Sequence, residues 1–134
     1  MSLKNVSGSL LRRVLLLDGV ASGAMGLLMA AAAGPMGPLL GLDPALLRTA
    51  GLGLIPFALL LGYLASRATL PAWPVWFVVA VNALWVVDSV LLMTHGPTTP
   101  TGLGVLFVAA QAAAVALFAV LEYAGLRRGT AALA

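Results

Sequence analysis

The sequence predicts an all-α, polytopic membrane protein, with four transmembrane helices in a compact up-down-up-down bundle and both termini on the cytoplasmic side. Three observations carry this expectation. Of 134 residues, 62% are hydrophobic and 8% charged, whereas a soluble domain carries roughly a quarter charged residues. Four apolar stretches, at residues 14–33, 45–65, 75–93 and 103–121, each match the about 20 residues that cross roughly 30 Å of hydrocarbon. Six of the seven basic residues fall on one side of these stretches.

The first span follows Lys4, Arg12 and Arg13 and ends at Gly34-Pro35. A basic start, an apolar run and Ala31-Ala32-Ala33 are also features of a cleavable signal peptide. Here the run exceeds the usual roughly 7–15 residues and contains Asp18, so it is read as a retained span. Residues 34–43 read as an outer interfacial loop. Asp43-Pro44 opens the second span with a capping acid and a first-turn proline, and Pro56 predicts a kink because it removes a backbone donor. Pro71 and Pro74 precede the third span. The loop at 96–102 opens the fourth, with a threonine as its cap.

Direction follows from charge. Arg67 lies between spans two and three, Arg127 and Arg128 follow span four, and Arg48 alone falls on the far side. Positive charge in short loops stays cytoplasmic, which predicts an N-in, C-in topology. Tyr63, Trp73, Trp76 and Tyr123 then form an inner aromatic belt. With its Ala, Leu and Gly bias, the chain is expected in a bacterial inner membrane, as one domain over residues 1–134.

Composition narrows the function classes. With no cysteine, thiol catalysis, disulfides and thiolate metal sites are excluded. The net charge of +3 and pI near 10.2 come from span ends. No basic stripe with interleaved aromatics points to nucleic acid. His95, the one histidine, reads as an exposed loop residue without a second metal ligand at suitable spacing. No hydrolase, nucleotide-binding or metalloprotease pattern occurs, so no cofactor, metal or catalytic residue is assigned.

The polar residues within the spans are the informative ones, because an ionisable group in a membrane is a functional candidate by default. At 100° per residue, Asp18, Ser22 and Met25 share a face of span one. Gly19, Gly23 and Gly26 form the neighbouring stripe, where close helix packing is expected. Asn82 and Trp85 cluster on span three, the indole requiring a partner for its N–H. Gln111, Phe118 and Glu122 share a face of span four. By depth, Asn82 and Gln111 are expected to meet near the midplane. Arg48 and Asp88 are expected to form a structural ion pair nearer the outer surface, and Glu122 an interfacial salt bridge with Arg127. Asp18, Ser22, Met25, Asn82, Trp85 and Gln111 are the candidate ligand-binding residues.

The segments Arg12-Arg13-Val14-Leu15-Leu16-Leu17-Asp18-Gly19, Asn82-Ala83-Leu84-Trp85 and Leu126-Arg127-Arg128 resemble those of a group of short four-span bacterial membrane proteins of unknown function. The resemblance extends over the whole chain and implies the fold but no activity. The chain departs from small multidrug exporters, in which a glutamate occupies the middle of span one, since Asp18 lies nearer the cytoplasmic end.

Three functional readings follow. The first is binding or transport of a small amphiphile, lipid or quinone-like, in the bundle. The second is a non-catalytic accessory subunit of a larger membrane complex, or a homo-oligomer, associating through the glycine stripe. The third is an enzyme acting on a membrane-embedded substrate through Asp18 or Asp88.

Overall fold

The computed structural model describes residues 5, 6 and 8–133. Four long helices carry the fold: α1 (Ser9–Ala31), α3 (Pro44–Ala65), α4 (Ala72–His95) and α5 (Gly102–Leu133), with a short α2 (Ala33–Leu40) between the first two. All four long helices are apolar and long enough to cross a membrane. Their outward faces are hydrocarbon: Leu17, Leu27, Leu59, Leu106 and Val120 are all exposed. Such a surface suits lipid rather than water, and the chain is a multi-pass membrane protein.

Local chemistry sets the helix ends. Asp43 caps α3 through its carboxylate, which accepts from the Ala45 N–H at 2.9 Å, and Pro44 occupies the first helical position. Thr101 caps α5, its hydroxyl accepting from the Gly104 N–H at 3.0 Å. Pro56 lies inside α3, which runs unbroken to Ala65. Residues 34–43, expected as a loop, instead contain α2. Ala32 turns the chain at φ −109°, ψ 18°, and Gly41 closes α2 at φ 68°, a left-handed conformation that favours glycine.

The helices form two closely packed pairs, α1 with α3 and α4 with α5, joined by a smaller contact between α1 and α5. The α1/α3 crossing is very close. A Cβ on Gly26 would lie 2.8 Å from the Gly51 carbonyl oxygen, and one on Gly51 would lie 2.7 Å from the Ala30 nitrogen. Lipid supplies no hydrophobic drive to helix association, so this backbone-to-backbone approach is a main source of attraction. Gly19 and Gly23 continue the seam against Leu61 and Ala58.

The N-terminus of α1, the C-termini of α3 and α5 and the N-terminus of α4 meet at one end, with Arg12, Arg13, Arg67, Arg127 and Arg128. Here β1 (Asn5–Val6) pairs antiparallel with β2 (Leu70–Pro71), and Trp76 meets Tyr123 edge to face at 5.6 Å. At the opposite end α2 docks on the 98–101 segment: Thr101 donates its N–H to Leu40 O and its hydroxyl to Leu39 O. Each end has its own apolar core. Leu11, Leu15, Leu61, Val75, Val78 and Leu126 fill the basic end. Met29, Ala33, Leu40, Leu47 and Val108 fill the other.

Candidate functional site

Between the two cores lies a buried polar layer, Asp18, Ser22, Asn82 and Glu122, contributed by α1, α4 and α5. Ser22 sits one turn after Asp18 and donates its hydroxyl to Asp18 Oδ1 at 2.9 Å. The Asn82 amide uses both of its N–H groups. One reaches Asp18 Oδ2 at 2.8 Å and the other Glu122 Oε1 at 2.7 Å. Asn82 thereby bridges the two carboxyl groups. As a carboxylate, Glu122 leaves Oε2 buried without a donor. Among the described residues, neither acid has a cationic partner.

This placement corrects two expectations. Glu122 makes no salt bridge with Arg127 and is fully buried, at 0% exposure. Five residues separate the two by about 140° around a helix, so with Glu122 turned inward Arg127 points out. Arg127 instead reaches its i−4 neighbour, donating to Tyr123 Oη at 3.0 Å. Nor do Asn82 and Gln111 meet. Asn82 is taken by the two acids, while Gln111 Oε1 accepts from Trp85 Nε1 at 3.0 Å, which answers the requirement of the indole N–H.

Beside the polar layer runs a cavity of about 600 Å³ between α1, α2, α4 and α5. Its polar groups are Asp18, Ser22, Trp85 and Gln111, and the rest of its wall is apolar, with Met25, Met36, Phe107 and Phe118 prominent. It follows α5 from Leu103 to Phe118, a length of roughly 22 Å at 1.5 Å per residue. The rim residues Ala21, Leu28, Leu39, Leu106, Ala110 and Ala114 line the cavity and are exposed. It therefore opens sideways between α1 and α5, toward hydrocarbon. A second cavity of about 460 Å³ lies toward the end opposite the arginines, walled by Leu46, Asp88, Ser89 and Pro97. Trp85, Phe107 and Gln111 line both cavities.

Of the six candidate ligand-binding residues, Asp18, Ser22, Met25, Trp85 and Gln111 line the larger cavity; Asn82 stands behind its wall and holds Asp18. Gly19, Gly23 and Gly26 face α3 within the chain. The ion pair expected between Arg48 and Asp88 is not formed. Both side chains are exposed, and their helices, α3 and α4, scarcely touch because α1 and α5 stand between them. His95 ends α4 rather than lying in the loop, with its Nδ1 2.8 Å from Thr94 Oγ1. Among the described residues no cluster of ligating side chains fits a metal ion. Sequence reasoning missed the Asp18–Glu122 pairing and the part of α2 in the cavity wall. One signal for the former was present, since Gln111, Phe118 and Glu122 share a face of α5 and the first two line the cavity.

No protein-family model, curated protein or solved structure matches the chain.

Proposed function

We propose that the protein binds, and through binding transports, a small amphiphile of lipid-like or quinone-like shape in the cavity between α1 and α5. The observation that carries this reading is the cavity's makeup: about 600 Å³ of apolar space beside the polar group Asp18–Ser22. Small-molecule sites are of this size and kind, apolar walls with a few placed polar groups. Its sideways opening gives a molecule dissolved in the bilayer a direct route in. The apolar body would lie along Met25, Phe107 and Phe118, and its polar head would reach Ser22 and Asp18.

The orientation belongs to the same proposal: termini in the cytoplasm of a bacterial cell, supported by Arg12, Arg13, Arg67, Arg127 and Arg128 at one end against Arg48 at the other. An accessory-subunit role finds less support, because the α1 glycines are spent on α3.

Trp85 provides the test. With Trp73→Phe and Trp76→Phe it becomes the sole tryptophan. A short-tailed benzoquinone or a brominated single-chain lipid, titrated into detergent-solubilised protein, is expected to quench it saturably. Ala114→Phe, which narrows the cavity mouth, should weaken that quenching, whereas Ala113→Phe, outside the cavity, should not. Quenching that never saturates, or that ignores Ala114→Phe, rules the reading out.

A further inference from the structure

Resting on the cavity reading above, we infer that the preferred occupant is a lipophilic cation, a molecule with an apolar body and one amine or onium centre that binds beside Asp18. Two independent observations carry this. First, the layer behind the cavity wall holds two acids and no base. Asp18 and Glu122 are 1% and 0% exposed, their hydrogen-bond partners are the neutral side chains of Ser22 and Asn82, and Glu122 Oε2 is buried without a donor. Second, the cavity that touches this layer at Asp18 is lined by no lysine, arginine or histidine, while three aromatic residues, Trp85, Phe107 and Phe118, line it.

Charges buried in membrane proteins normally face an opposite charge. Asp18 and Glu122 put two buried acids in one layer, and no basic side chain among the described residues balances them. A ligand bearing a positive charge does. It enters from the bilayer with its apolar groups along α5 and brings its cationic centre to Ser22 and Asp18. Aromatic faces favour such a centre through their quadrupoles. An anionic amphiphile meets the opposite field and is excluded. Asn82 is a positioning residue here, since its two N–H groups hold both acids on one side of the cavity.

The experiment compares tetraphenylphosphonium with triphenylphosphine oxide, a neutral molecule of related shape, binding to the full chain in nanodiscs. The wild-type protein is expected to bind the cation about tenfold or more tightly than the oxide, the scale of a desolvated charge contact. Asp18→Asn should abolish that preference while leaving oxide affinity in place. The double variant Asp18→Asn/Glu122→Gln, which leaves no acid in the layer, should lose the preference as well, so the inference stays testable if the single variant fails to fold. Equal affinity for both probes, or a preference unaffected in a folded variant, overturns the cationic assignment and leaves the amphiphile cavity standing. If neither probe binds and Trp85 is not quenched by quinone or lipid either, the cavity reading itself fails.

Discussion

Trp85 on α4 donates its indole N–H to the side-chain oxygen of Gln111 on α5 at 3.0 Å, and this pair forms part of the partition between the two cavities. Gln111 also approaches Met29 Sδ at 3.8 Å, so one amide links α1, α4 and α5. Replacing it by leucine leaves a part-buried indole N–H without a partner. Gln111→Leu is expected to cost about 1–3 kcal/mol, the penalty for stranding a buried donor. In the background with Trp85 as the only tryptophan, its emission should shift as well. Thermal unfolding in detergent and the fluorescence spectrum together check this; an unchanged spectrum counts against the bond.

Asn82 presents a sharper case, because its removal strands two acids at once. Asn82→Leu should lower stability by more than about 2 kcal/mol, since groups that can bear charge lose more than neutral ones. Combining it with Glu122→Leu should cost less than the two single effects added, because the residues act as one network. A double-mutant cycle on unfolding midpoints gives the answer. Additivity would separate the two residues.

The α1/α3 crossing predicts a contrast between two glycines of similar sequence context. At Gly26 an added Cβ meets backbone, so Gly26→Leu must push the helices apart and should cost at least about 3 kcal/mol, like a severely overpacked core. At Gly53 a Cβ meets nothing within 4 Å, and Gly53→Ala should be neutral or stabilise by up to about 1 kcal/mol through helix propensity. Thermal stability of purified monomer distinguishes this from an intermolecular seam, in which Gly26→Leu would alter oligomer size and spare the fold.

Arg48 and Asp88 supply the negative counterpart. Exposed and without a partner in the structure, they should tolerate Arg48→Gln and Asp88→Asn with stability changes within about 0.5 kcal/mol. Reversing both charges should be equally mild. A loss of several kcal/mol in the single variants, recovered on charge swap, would establish the missing ion pair.

Much of the architecture is legible in the residues. Apolar runs broken at Gly34-Pro35, Asp43-Pro44, Pro71 and the 96–102 loop mark the four long helices, because hydrocarbon tolerates only backbones that satisfy their own hydrogen bonds. Asp43 and Thr101 announce their caps through short-range chemistry. Even the cavity-facing set Asp18, Ser22, Met25, Trp85 and Gln111 is readable, since polar or flexible side chains have no business on a lipid face and turn inward. The helical content of 33–40 is less legible, as Gly34, Pro35, Gly37 and Pro38 carry loop signals that docking against α3 and α5 overrides.

Pairing is another matter. Depth counted along each helix suggests that Arg48 could reach Asp88, Asn82 could reach Gln111 and Glu122 could reach Arg127; none of these pairs forms. Which side chains meet depends on which helices are neighbours and how each is rotated, and a period of 3.6 residues specifies a face without naming what lies opposite. Placing α1 and α5 between α3 and α4 separates Arg48 from Asp88, and rotating α5 inward at Glu122 delivers a second acid to Asp18. Primary structure dictated membrane residence, the number of long helices and their inward faces, because those are one-body costs of each segment in lipid. The acid pair bridged by Asn82 and the cavity beside it arise only from three-body packing of α1, α4 and α5.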